Sequence, residues 1–166
     1  DIADTYNRLL DHASADQPAE SVAAAKHMLQ QFQSLYGNAS LHLAAPASYL
    51  GLAELSNGRP GKALEDFEWA IELIEAELGR FDLKLIPRLQ GMSLAHLELG
   101  NYGLAGEVLR RAKHITRRHG GVYNEAQLSI VDELILVEQN LGRADDIKAL
   151  HLLHLRIHED IYGAMD

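Results

Sequence analysis

The sequence has no cysteine, only four prolines, one tryptophan and three phenylalanines among 166 residues. Without cysteine there is no disulfide framework, no cysteine–zinc site and no thiol nucleophile. Positive charge is scarce as well. Fifteen Lys and Arg against twenty-four Asp and Glu leave a net charge of −9, which makes a poor generic binder of nucleic acid or of an anionic membrane. No apolar run approaches the roughly 20 residues that cross a bilayer, so membrane insertion is not expected. Gly-x-Ser-x-Gly, phosphate-loop and Gly-x-Gly-x-x-Gly patterns are all missing, and with them the common frames for a serine nucleophile or a bound nucleotide. The expectation is a chain that is not an enzyme and holds no cofactor. It begins at Asp1 without an apolar leader stretch. Any targeting segment is therefore expected to lie outside it, and the choice between cytoplasm and periplasm stays open. What the chain does have is 47% apolar residues, enough to fill a core and too many for a disordered segment. Its length suits one domain, 1–166.

Glycine supplies the organising signal. Gly37, Gly58, Gly79, Gly100, Gly121, Gly142 and Gly163 stand 21 residues apart without a miss. With 13 glycines in the chain, six hits after a first anchor would arise by chance on the order of once in a million. Stretches with apolar residues at helical spacing lie between these glycines, as in Leu150, Leu153, Ile157 and Ile161. Glycine just past a helix end takes the left-handed conformation that lets the last carbonyls be satisfied. Each 21-residue unit thus reads as one helix and its turn.

The units alternate in kind, so the true period is 42. Helices ending at Gly58, Gly100 and Gly142 share the columns Leu50/Met92/Leu134, Leu52/Leu94/Leu136 and Ala53/Ala95/Val137. The helices that follow share Ala63/Ala105/Ile147, Phe67/Leu109/His151, Ala70/Ala112/His154 and Leu73/Ile115/Ile157. Small residues at fixed places let two helices approach, and the large ones beside them fill the groove. With the first kind called A and the second B, the pattern predicts eight helices: 1–13 (A), 19–36 (B), 40–57 (A), 61–78 (B), 82–99 (A), 103–119 (B), 123–141 (A) and 144–162 (B). Pro18 and Pro60 fall at B-helix starts, where a missing N–H costs little. Pro46 and Pro87 are expected to start or kink their A helices. Helix pairs that cannot bury their apolar faces alone stack into an α-solenoid. The four repeats run approximately 1–37, 38–79, 80–121 and 122–163.

Gly58-Arg-Pro-Gly-Lys-Ala63 and Gly100-Asn-Tyr-Gly-Leu-Ala105 resemble the Gly-Asn-Tyr-x-x-Ala turn of tetratricopeptide repeats, with Leu50-Gly51 before the turn and Ala70 seven residues after Ala63. The 42-residue period is similar to that of kinesin light chains and their many bacterial relatives. The resemblance covers the chain from about residue 16 onward. It implies an all-α, TPR-like right-handed superhelix that binds proteins or peptides. In that family the A helices line a concave groove. Carried over, the groove positions are Ser48, Leu52, Leu55 and Ser56, then Gln90, Leu94, Leu97 and Glu98, then Asp132, Leu136, Gln139 and Asn140. Leu52, Leu94 and Leu136 would form an apolar stripe with polar shoulders, fit for an amphipathic or extended segment; the alternative is that they only pack between A helices. The carboxylate clamp of chaperone-binding members is not expected, because leucine fills the column and the only positives nearby are Lys84 and Arg88.

Two other clusters have modest readings. Arg110, Arg111, Lys113, Arg117 and Arg118 crowd nine residues. Alternating signs in the rows Lys26/Glu68/Arg110 and Glu75/Arg117/Glu159 make them the centre of a surface charge ladder, each pair contributing up to about 1 kcal/mol. His151, His154 and His158 share one face of the last helix. They span about 10.5 Å of rise, too far for one ion, and no metal is expected. Two alternatives to the scaffold remain: a self-associating module, a homo-oligomer joined through the C-terminal end, and a histidine-based switch responding to pH or metal.

Overall fold

A computed structural model describes residues 18–163 of the chain. Every regular element among the described residues is helical. There are seven α-helices: α1 (Pro18–Tyr36), α2 (Ala44–Ser56), α3 (Pro60–Leu78), α4 (Leu85–Glu98), α5 (Tyr102–Gly120), α6 (Leu128–Leu141) and α7 (Ala144–Tyr162). The count of eight is therefore corrected to seven among these residues; the expected first helix, 1–13, lies outside them. The B helices α1, α3, α5 and α7 have 19 residues each. The A helices α2, α4 and α6 are shorter than expected at 13 or 14 residues. The cause is at their starts. Short 3₁₀ segments, Leu41–Leu43 and Glu125–Gln127, replace the first turn before α2 and α6. Pro46 and Pro87 then sit third in α2 and α4, within the first turn, where the absent N–H has no helical acceptor to miss.

All seven clock glycines have positive φ, between 68° and 88°, and among the described residues no other residue does. They fall into two kinds. At the A-to-B turns the residue after the glycine donates back five residues and the glycine donates back three. Arg59 and Gly58 donate to Glu54 and Leu55 carbonyls, Asn101 and Gly100 to His96 and Leu97, Arg143 and Gly142 to Glu138 and Gln139. This is the Schellman arrangement, and Gly142 at φ 69°, ψ 24° is left-handed helical. At the B-to-A turns the glycine donates back four residues, as Gly121 does to Arg117 at 3.0 Å. There ψ is extended: φ 88°, ψ 171° at Gly79, φ 83°, ψ −174° at Gly121, φ 82°, ψ 159° at Gly163. That region is open to essentially no residue but glycine.

The chain forms two compact units, the first ending at Asp82 and the second starting at Leu83. In the first, α2 packs on both α1 and α3. In the second, α4, α5, α6 and α7 pack in chain order, each on the next. The columns explain the packing. Ala63, Ala70, Ala105 and Ala112 are fully buried and bring B helices close to A helices. Phe67 lies over Gly51, where an added Cβ would stand 3.0 Å from the ring tip. One repeat on, the same two columns hold Ser93 and Leu109: the A-side residue is larger and the B-side residue smaller. Both are fully buried, and Ser93 Oγ donates to the Ala105 carbonyl of α5 at 3.4 Å.

Inside each unit a buried glutamate is held by two cations. Glu54, 2% exposed at its side chain, meets Arg59 Nε at 2.7 Å and Lys26 Nζ at 3.8 Å. Glu138, 3% exposed, meets Arg110 Nη2 at 2.8 Å and Arg143 Nη1 at 3.4 Å. The two clusters are two periods apart. This corrects the charge ladder. Lys26 and Arg110 do not run along a row of B helices; they reach into the core, to the glutamate of the A helix 28 residues on. Arg117 makes no ion pair with Glu159 among the described residues. Core glutamates need their charge met, whereas surface rows gain little from pairing.

Candidate peptide-binding face

The exposed side of the A helices follows from register. Leu50 and Ala53 face inward, and a residue two positions after Leu50 points to the opposite side of a helix with 3.6 residues per turn. Leu52, Leu94 and Leu136 are accordingly 46%, 43% and 47% exposed, while the leucines of the inward column are buried. Two other expected groove positions are not on the surface. Ser48 is buried and its hydroxyl donates to the Ala44 carbonyl at 2.6 Å. Leu55 is buried in the core of the first unit. Leu97 is half-buried, whereas Ser56, Glu98, Asp132, Gln139 and Asn140 are exposed.

In the second unit, side chains tie α4 to α6 on this face. Gln90 Nε2 donates to Glu133 Oε1 at 2.6 Å and to Ser129 Oγ at 3.3 Å. Leu94 and Leu136 lie one helical turn further along their helices from this bridge. Asp132 Oδ1 lies 3.3 Å from His154 Nε2 of α7, and Asn140 Nδ2 donates to the Leu136 carbonyl at 2.8 Å. Burial pushes the Glu133 carboxyl up from the usual carboxylate range, and the Asp132 charge adds to this against the opposing Gln90 hydrogen bond. Its Oε2 is buried without a hydrogen-bond partner among the described residues. Glu133 was not a sequence candidate. Its column, Tyr49/Gly91/Glu133, has no common chemistry, and only the reach of Gln90 reveals it.

Two of the three histidines of α7, His154 and His158, make a ring row with Tyr162. His154 and His158 have centroids 5.1 Å apart, and His158 and Tyr162 5.3 Å. The Tyr162 hydroxyl donates to Glu125 Oε1 at 3.0 Å, which raises its pKa. No group of three His, Asp or Glu among the described residues is placed to hold a metal ion. The basic run on α5 is divided: Arg110 serves Glu138, while Lys113 is pushed below the usual lysine value by burial and by Arg117 and Arg110 beside it. No helix among the described residues is long and apolar enough to cross a membrane.

No family model matches the sequence, and no curated protein does. Solved structures match its fold. A putative kinesin light chain from Podosopora anserina, described by its nearly identical TPR-like repeats, superposes with a TM-score of 0.85 at 16% identity, over 96% of this chain and 76% of that one. Its Q17M variant gives 0.85 at 15% identity, over 97% and 76%. BtubC (BKLC) from P. vanneervenii gives 0.78 at 18% identity, over 91% of this chain and 60% of that one. The present chain thus spans about three fifths of BtubC. The fold is that of TPR-like repeats of the kinesin-light-chain kind.

Proposed function

We propose that this chain is a non-enzymatic scaffold that takes up an extended or amphipathic segment of another protein on the exposed face of its A helices. Leu94 and Leu136 supply the apolar contacts in the second unit, and Leu52 holds the same column in the first. Gln90, Asp132, Gln139 and Asn140 are the polar shoulders that would hydrogen-bond the backbone of the segment. The observation that carries this reading is the equal half-exposure of one leucine column beside fully buried neighbours. The TPR-like fold supports it in kind, since helix-pair repeats expose extended binding surfaces. A neutral substitution, Leu94→Gln, should weaken binding of leucine-containing peptides at least about tenfold, with a far-UV circular dichroism melt within about 2 °C of the parent, because a solvent-facing leucine contributes little to stability. Unchanged peptide binding refutes the site. A collapsed melt places Leu94 in the core.

A second reading, self-association through α7, is favoured by its exposed Leu152, Leu155 and Tyr162. Sedimentation equilibrium of Leu155→Glu beside the parent tests it. A monomer for both proteins removes it.

A further inference from the structure

We infer that the segment taken up on this face is cationic as well as apolar, with Glu133 receiving an arginine or lysine of the partner one helical turn before the Leu94 and Leu136 contacts. This rests on the groove reading above and names the chemistry of its occupant.

Charge is unevenly matched along α6. The helix carries three carboxylates, Asp132, Glu133 and Glu138, and no cation of its own. Two guanidinium groups neutralise Glu138, and Asp132 has His154 beside it. Among the described residues, Glu133 has the Gln90 amide and the Ser129–Gln90 bridge, with no cation paired to it. Its second oxygen is buried and bare. A half-buried carboxylate without a cation is costly, and a hydrogen-bond donor that carries positive charge is the group that relieves it best. Glu133 stands at the bridge that joins the two exposed leucine faces. A partner residue reaching it would therefore come from a segment already lying on Leu94 and Leu136. The net charge of −9 draws such a segment in from a distance. An acidic segment would meet Asp132, Glu133 and Glu98 instead. Charge complementarity therefore commits the face to a basic, leucine-containing stretch.

Two fluorescent peptides of about 12 residues test this, sharing the same leucines and differing in whether the intervening positions are arginine or serine. Fluorescence anisotropy on the intact chain should show the arginine peptide binding at least about tenfold more tightly. Glu133→Gln should cut that preference to about twofold or less and leave the serine peptide unchanged. Glu107→Gln, the same charge change on an exposed position of α5, should leave the preference intact. Equal binding of the two peptides overturns the inference, as does a preference that survives Glu133→Gln or falls equally with Glu107→Gln. Leu94→Gln separates the two readings. If it weakens both peptides while the arginine preference is missing, the groove stands and the cationic partner falls. If it changes neither, the groove reading itself fails. Binding of neither peptide refutes both.

Discussion

The two kinds of glycine turn make unequal demands, and a pair of substitutions in the second unit measures the difference. At Gly121 and Gly142 a built Cβ meets nothing within 4 Å. Any cost of a side chain there is backbone cost alone. Gly142 sits at φ 69°, ψ 24°, a well that asparagine visits readily and alanine at about 1–2 kcal/mol. Gly121 sits at φ 83°, ψ −174°, where a residue with a Cβ is strained by about 1–3 kcal/mol, asparagine included. Both changes keep the N–H that caps the preceding helix, Gly121 to Arg117 and Gly142 to Gln139. Gly142→Asn should therefore cost well under about 1 kcal/mol and Gly121→Asn about 2–3 kcal/mol. At about 2–4 °C per kcal/mol for a chain of this size, Tm falls by about 2 °C or less in the first and by about 4–12 °C in the second. Gly142→Ala should fall between them, and Gly121→Ala should match Gly121→Asn. Thermal melts followed by circular dichroism, with urea titrations to give free energies, read all four. Equal losses for the two asparagine variants would refute the argument that ψ, rather than positive φ alone, separates the turns. A larger loss at Gly142 would invert it.

Three further outcomes follow from the core. Gly51→Ser should destabilise by about 1–2 kcal/mol, overpacking against Phe67 outweighing the helix gain; the double change with Phe67→Leu copies Ser93 and Leu109, and urea titration should show most of the loss recovered. Arg110→Met should cost about 1–3 kcal/mol by leaving buried Glu138 with the single, longer Arg143 contact at 3.4 Å, and adding Glu138→Met should restore most of it; no recovery in the double variant refutes the charge account. Asp66 is raised to about 6, by burial first and then by Glu54 and Glu65. Because the folded carboxyl binds its proton more tightly than the unfolded one, stability falls as pH rises from about 4 to 6. Asp66 is only half-buried, so solvent screening reduces the effect to about 1 kcal/mol. Asp66→Asn should stabilise at pH 7 and gain nothing at pH 4, read from melts at both; a gain that does not vary with pH refutes it.

The fold was legible because a glycine cap needs a backbone conformation that other residues resist. A repeated turn therefore leaves a repeated glycine, and the helix type follows from the alternating columns. Helix starts were less legible. Nothing in Leu41–Leu43 or Glu125–Gln127 distinguishes a 3₁₀ turn from the first turn of an α-helix, since the apolar spacing of so short a stretch fits both. The leucine column could be read, but its exposure could not, because leucine at a helical period suits a core as well as a groove. The burial of Ser48 and Leu55 was not legible because a resemblance carries over positions and not how closely each helix is packed. The buried glutamates were hidden for a different reason. Sequence comparison at a 42-residue period pairs like with like along the B helices, whereas Lys26–Glu54 and Arg110–Glu138 join a B helix to an A helix at an offset of 28. Glutamate is also a residue type expected outside a core.

The repeat assigns most columns a structural task, and the leucine column is the exception. The clock glycines reverse the chain, Ala63, Ala70, Ala105 and Ala112 set helix spacing, and Glu54 and Glu138 anchor cations. Another exposed column of the A helices changes freely from repeat to repeat, Ser56 to Glu98 to Asn140. Leu52, Leu94 and Leu136 do not change. Each leaves nearly half its surface in water, where a polar residue would do as well for folding. Within either unit, packing has no use for the outer half of that side chain. An apolar side chain kept at the same exposed place while its polar neighbours vary is what a shared contact with a partner would require.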